Sequence, residues 1–371
     1  MVNKCAFIYS ELMSRHQFPE SHPMKPIRLK FTYDLLNEYD AFSVKNVDLV
    51  DPREASVKEL STFHSMDYID FVFGSNNGSQ SNIMHDYNFN YGDNPIYEGI
   101  YSAAALSVGA SIKGAEILLD GNYASAFNIS GGLHHAMRKY AAGFCVFNDA
   151  VIAINKFLEH GKKVVYIDID CHHGDGVQEA FYDSDQVLTI SIHESGEFLF
   201  PGTGFPSENG VGIGEGFNIN IPLSPFSNDE IFLAAFSEII SPVVRKFKPD
   251  VLVTQLGVDT HFLDPITHLN VTVQGFTSVI KEIASLSPGK WLALGGGGYE
   301  VNAVVRSWVK AFGVMSCQDF SNSIPEIYKS IHGIQYLDDD INGEYFRDEK
   351  IIDLSRRNAE ITFSEIKRMY F

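Results

Sequence analysis

The feature that most restricts the fold is a rhythm. Seven short β-rich runs recur along the chain: KCAFIYS (4–10), ASAFNIS (124–130), KVVYIDID (163–170), VLTISIH (187–193), FNINIPL (217–223), VLVTQLG (251–257) and WLALGGGG (291–298). Segments of helical period separate most of them. The runs are too uniformly apolar for a sheet with one wet face, so the pattern predicts a parallel sheet covered by helices on both sides. One helix is expected from Asn228 as N-cap, with Ile231, Phe232, Ala235, Phe236, Ile239, Ile240, Val243 and Val244 as one stripe, bent at Pro242. Another is expected from near Pro95 to Gly121. The stretch 74–82 (GSNNGSQSN) reads as a polar loop, and the acidic DDD at 338–340 as a solvated turn. No internal repeat or low-complexity linker divides the chain. It is expected to form one α/β domain over 1–315, with 316–371 as a C-terminal extension packing on it.

Chemistry concentrates where the strands end. VVYIDIDCHHGDG (164–176) places three carboxylates and two histidines directly after a buried run. Unpaired, each such charge costs several kcal/mol to desolvate, so the cluster needs a cation, a hydrogen-bond network or a shallow position. In open parallel sheets, ligands bind beyond the carboxyl ends of the strands. Four ends carry polar clusters: SGGLHHA, DIDCHHGDG, QLGVDTH and GGGGYE. Alternation along an extended chain puts Asp168, Asp170 and His172 on one side, and Cys171 and His173 on the other. Asp170 and His172 can grip one divalent cation, with Asp259 as third ligand and an open fourth position, the mark of a catalytic site. Asp259 also reads as a helix N-cap. The neighbours His134 and His135 call for carboxylate partners, and Asp168 and Asp175 are the candidates. The glycines before Tyr299 lack the spacing of a nucleotide-binding loop. Together these parts describe a hydrolase of amides or esters: a metal that acidifies water and polarises a carbonyl, a histidine base, and a tyrosine hydroxyl for the oxyanion.

Composition narrows the partners. With 28 basic and 47 acidic residues the formal charge is −19, which disfavours nucleic acid and anionic membrane surfaces. Four cysteines without a C-x-x-C pair suggest neither a disulfide framework nor a thiolate zinc site, and a reducing cytoplasm fits them. No signal peptide and no uninterrupted apolar run of membrane-spanning length is read. Nothing fixes an oligomeric state.

The ordered series SHPMKPIR, FHSMDYIDF, GGLHHA, GFCVFNDA, YIDIDCHHGDGVQEAFY, FPGTG, QLGVD and LGGGGYE, spanning about Cys5 to Val314, resembles the histone deacetylase superfamily. DTHFLDPITHLN is similar to its class I-like prokaryotic branch, which includes acetoin-utilisation proteins. The resemblance implies a three-layer α/β/α fold around a mostly parallel eight-stranded sheet, the arginase/deacetylase fold. It implies Asp170, His172 and Asp259 as zinc ligands, with ferrous iron as the alternative metal because the donor set is hard. By the same likeness, Asp168 orients His134 and Asp175 orients His135. His135 is then the general base and later acid, His134 gives electrostatic support, and Tyr299 stabilises the oxyanion. Phe144, Phe200 and Gly143 line a tunnel, Asp93 holds the substrate backbone at the rim, and Arg28 belongs to an internal cavity. Potassium is implied at Asp168, the Asp170 and His172 carbonyls, Ser191 and Ile192.

The implied activity is hydrolysis of N6-acetyl-lysine in an acetylated protein or peptide, with acetyl-CoA synthetase as a candidate substrate. Ile266 stands where polyamine-selective relatives carry glutamate, which places acetylpolyamine second. His261 and His268 belong to a stretch that differs from eukaryotic class I sequences. Two other classes fit less well: a binuclear manganese ureohydrolase, against which GGLHH replaces GGDH, and a non-catalytic acyl-lysine sensor, which has little use for Tyr299 or two histidines.

Overall fold

The computed structural model describes residues 4–14, 18–340 and 349–370. Its centre is one sheet of eight strands in the order β2-β1-β3-β8-β7-β4-β5-β6. These are β1 (Cys5–Ile8), β2 (Val47–Val50), β3 (Ser125–Asn128), β4 (Val164–Asp168), β5 (Val187–Glu194), β6 (Asn218–Leu223), β7 (Val251–Gln255) and β8 (Trp291–Leu294). Every ladder is parallel. All but β2 are buried along their whole length, as apolar runs without alternation require. The exception is the strand absent from the sequence reading. Its VDLV is short, lies at the sheet edge and carries the partly exposed Asp48, so it has neither a long apolar run nor a clear period.

Helices Ile100–Leu119 and Asp149–Leu158 pack together and on the central strands from one face, while Ile27–Glu38, Val273–Leu286 and Val301–Ser316 pack together on the other. The fold is therefore the three-layer α/β/α arrangement. Polar side chains fix several helix starts. Asn148 accepts from Val151 N at 3.1 Å, Thr272 accepts from Gly275 N at 3.0 Å, and Asn228 accepts from Ile231 N at 3.3 Å.

Three expectations are revised. The stripe after Asn228 is not one bent α-helix: Asp229–Ala235 passes into a π-helical segment, Phe236–Ile240, and then into Ser241–Phe247. Pro242 lacks the N–H an α-helix needs, and the widened turns directly precede it. The helix expected from Pro95 begins at Ile100, after Gly99 at φ 85°. It is long and apolar enough to cross a membrane, but 72% of its most apolar window is buried inside the protein, so here it is a core helix. Finally, DDD at 338–340 is no solvated turn, because the Asp339 side chain is 4% exposed and ion-paired.

Candidate active site

Strand order explains why the polar clusters meet. The four ends singled out above belong to β3, β8, β7 and β4, consecutive neighbours at the middle of the sheet. The register sets Asp168 beside Ser191 on β5 and Gln255 on β7. Loops leaving these ends fall on one spot.

Asp170, His172 and Asp259 each offer a ligand atom, and these atoms lie within 4.8 Å of one another. His172 Nδ1 is 3.1 Å from Asp170 Oδ1 and 3.0 Å from Asp259 Oδ2. All three residues are buried. Asp259 is not a helix cap; its Oδ1 accepts from Cys171 N at 2.8 Å. Burial alone would strip His172 of its proton, yet the two carboxylates raise it to about 10. Burial and the neighbouring Asp170 charge push Asp259 up to about 8. Two carboxylates this close and this dry demand positive charge, and a divalent cation on the same oxygens and nitrogen supplies it. The donor set therefore fits a metal. Backbone makes room for it: a Cβ on Gly297 would stand 2.1 Å from Asp259 Oδ2, so only glycine lets this loop pass.

Beside the triad, His134 Nδ1 meets Asp168 Oδ2 and His135 Nδ1 meets Asp175 Oδ1, both at 2.7 Å. The two Nε2 atoms face each other at 3.0 Å. Their environments diverge. For His134, burial opposes charge but Asp168 and Asp170 outweigh it, raising the imidazole to about 9. For His135, burial and the positive neighbour His134 lower it to about 4, against the pull of Asp175. Near neutrality His134 thus donates through both nitrogens, and His135 holds a lone pair on Nε2.

His135 and His172 open onto a pocket of about 230 Å³ whose lining also includes Asp93, Gly143, Phe144, Leu199, Phe200, Ile266 and Tyr299. The Tyr299 ring lies 6.5 Å from the His172 ring and 5.8 Å from Phe144. Burial, with Asp259 and Asp170 nearby, pushes its phenol well above the usual value, so it stays a donor. Phe144 holds a left-handed backbone at φ 69°, with its N–H on Asn94 Oδ1 at 3.0 Å. Arg28 lies apart from this pocket in a smaller cavity of about 50 Å³. It donates to Gly298 O and Gly296 O at 2.7 and 2.6 Å and leaves its buried Nε without a hydrogen bond. On the strand beside Asp168, Ser191 Oγ accepts from Gly174 N at 3.5 Å and pairs with His193 Nδ1 at 2.8 Å, with Ile192 next along β5.

Several contributors escape the sequence reading. Tyr166 donates to Asp168 Oδ2 at 2.6 Å, and Gln255 Nε2 donates to Asp170 Oδ2 at 2.5 Å. Buried Asp149 accepts from Ser111 Oγ at 2.5 Å, Gly132 N at 3.1 Å and Leu133 N at 2.8 Å, fixing the turn before the histidines. Asp264 accepts from Tyr299 N at 2.8 Å and Ile266 N at 3.1 Å, seating the tyrosine loop against the pocket wall. The cysteines are free, as expected; Cys5, Cys145 and Cys171 are buried and Cys317 is exposed.

Known proteins are similar to this chain in sequence and in fold. Residues 22–315 match the histone deacetylase domain. The acetoin utilization protein AcuC of Bacillus subtilis is 41% identical over 326 residues, covering 86% of this chain and 84% of that protein. AcuC of Staphylococcus xylosus is 36% identical over 334 residues, covering 88% and 86%. Among solved structures, an HDAC homologue from Aquifex aeolicus superposes with a TM-score of 0.86 at 30% identity, covering 98% of this chain and 100% of that one. An HDAC homologue complexed with SAHA gives 0.85 at 31% identity, covering 96% and 100%. Both the sheet with its carboxyl-edge pocket and the sequence that builds it lead to one statement: this chain belongs to the histone deacetylase family.

Proposed function

We propose that the protein is a zinc-dependent deacetylase that hydrolyses the amide of N6-acetyl-lysine in a protein or peptide, releasing acetate. The observation that carries this reading is the meeting, at one apolar pocket, of a metal-competent triad, an imidazole kept unprotonated near neutrality, and a phenol kept protonated. Asp170, His172 and Asp259 would hold the metal, which when bound polarises the acyl carbonyl and acidifies water.

The chain's own groups do the rest. Phe144 and Phe200 flank the pocket and would take the lysine methylenes, while exposed Asp93 at the mouth offers an acceptor to the substrate backbone. His135 Nε2 accepts the proton of the attacking water, held in orientation by Asp175. His134, charged and anchored on Asp168, lies directly behind His135 and offsets the negative charge that develops. Tyr299 donates its hydroxyl proton in a hydrogen bond to the oxyanion. Collapse of the tetrahedral centre then returns the proton from His135 to the departing amine.

Asp168, the Asp170 and His172 carbonyls, Ser191 and Ile192 are our assignment for a structural potassium ion. Iron(II) is the alternative catalytic metal, given two carboxylates and one nitrogen. The likeness to proteins named for acetoin utilisation supports an acetylated enzyme of that metabolism, such as acetyl-CoA synthetase, as the physiological substrate, and a cytoplasmic site of action. Ile266 places a hydrocarbon side chain at its position on the pocket wall, where no carboxylate meets a second ammonium group, which favours peptide over acetylpolyamine.

The test is acetate release by the purified protein from an acetyl-lysine peptide and from acetylspermidine, with zinc, with iron(II) and after chelation. Metal-dependent release from the peptide is expected. Undiminished release from chelated protein, or turnover of the polyamine alone, overturns the reading.

A further inference from the structure

The stretch following the matched domain reaches back to the site through one side chain. Asp339 lies outside residues 22–315, and its carboxylate is buried. Its Oδ2 accepts from His261 Nε2 at 3.0 Å and Val273 N at 2.8 Å, and its Oδ1 accepts from an Arg306 guanidinium nitrogen at 2.6 Å. Its backbone is pinned as well: the carbonyl accepts from Gln274 Nε2 at 2.8 Å and the N–H donates to Gln274 Oε1 at 3.0 Å. Five hydrogen bonds on one residue from three elements are far more than a solvated turn requires.

One of those elements, the 259–268 loop, forms part of the pocket wall through Ile266. His261 lies two positions beyond Asp259. Its Nδ1 accepts from Leu263 N at 3.2 Å, so the proton is on Nε2 and is given to Asp339. The His261 carbonyl accepts from Asp264 N at 2.8 Å, and Asp264 in turn accepts from Tyr299 N and Ile266 N. Thr267 Oγ1 closes the loop by donating to the Asp259 carbonyl. Arg306 sits on Val301–Ser316, the helix that follows Tyr299. A single carboxylate thus braces both the loop carrying a metal-ligand candidate and pocket wall, and the helix behind the oxyanion donor.

We infer that Asp339 is a positioning residue of this active site, holding the 259–268 loop through His261 so that Asp259, Tyr299 and Ile266 keep their places, and that the segment around it is part of the catalytic unit. The inference rests on the proposed deacetylase reading. Burial works against the Asp339 charge, but His261 and Arg306 hold its carboxyl at about 2, so the brace stays ionised across the working range.

The experiment uses the full chain as wild type, Asp339→Ala, Asp339→Asn, His261→Asn and the Asp339→Asn/His261→Asn double variant. Zinc affinity is measured by chelator competition, and kcat and KM on an acetyl-lysine peptide. Asp339→Ala should weaken zinc affinity and lower kcat/KM by about tenfold, the low end for outer partners of a metal site. The double variant should be no worse than its worse parent, because both break the same link. Asp338→Ala, which removes the 2.8 Å pair with Lys310 on the same segment but touches nothing in the 259–268 loop, should match wild type. If Asp339→Ala does not fold, the near-isosteric Asp339→Asn carries the decision. Wild-type affinity and kinetics in folded Asp339 variants, or additive losses in the double variant, overturn the inference. An inactive wild type that binds no zinc instead overturns the deacetylase reading.

Discussion

The floor and the mouth of the pocket are built on opposite principles. The floor is dry and charged: Asp168, Asp170, His134, His135 and Asp259 are almost wholly buried, and each polar atom is aimed by a partner. The mouth is apolar and open, with Phe200 half exposed and Leu199, Phe144 and Ile266 partly so. Chemistry is fixed where water is excluded and electrostatics are strong; recognition is left to contact area that can adapt. Replacements in the floor should therefore act on metal binding and kcat, and replacements in the mouth on KM.

The largest effect is expected from Asp170→Ala, which should abolish metal binding and turnover together; one equivalent of tightly held zinc by elemental analysis would break the contrast at its base. His135→Ala should follow, lowering kcat by about 10² to 10⁴ with KM little changed, as measured by steady-state kinetics. Tyr299→Phe should cost roughly a hundredfold or more in kcat, the usual loss for one oxyanion donor. Full activity in that variant removes the assigned role.

A smaller effect is expected in the pH profile. His135 must be unprotonated to accept a proton, so kcat/KM should fall as pH drops through its low value near 4; His134 should stay charged, so the rate should fall again as pH rises through about 9. Asp168→Asn removes the strongest partner raising His134 and should move the alkaline limb to lower pH, whereas an unmoved limb would detach it from this imidazole. The mouth should respond least. Phe200→Ala should raise KM several-fold with kcat nearly unchanged, and a kcat loss to match the floor variants would erase the distinction.

Much of the floor is legible in the sequence because it follows from strand ends. Asp170 and His172 are near neighbours beyond β4, and period two separates them from Cys171 and His173, which do turn the other way: Cys171 Sγ lies toward Glu194 and His173 meets Thr203 and Gln178. Tyr166 is within reach of the same reasoning, since it precedes Asp168 by two and shares its face. Asp149, Gln255, Asp264 and Asp339 are not. Each is a single polar residue whose partner lies far along the chain, as His261 does from Asp339, and no local period encodes such a pair. The break in the helix after Asn228 is half legible: Pro242 announces a disturbance, but the choice of widened turns over a kink depends on packing.

The strand order also has a consequence for how the protein is made. Among the described residues β8 is the last strand to leave the ribosome, yet it sits between β3 and β7, and the tyrosine arm begins just after it. Until residues 291–294 emerge, the growing sheet is two unjoined halves, β2-β1-β3 and β7-β4-β5-β6, with apolar edges facing one another. Synthesis must pass residue 294 before the gap is zipped shut, so a shorter nascent chain stays inert with two apolar edges still unpaired.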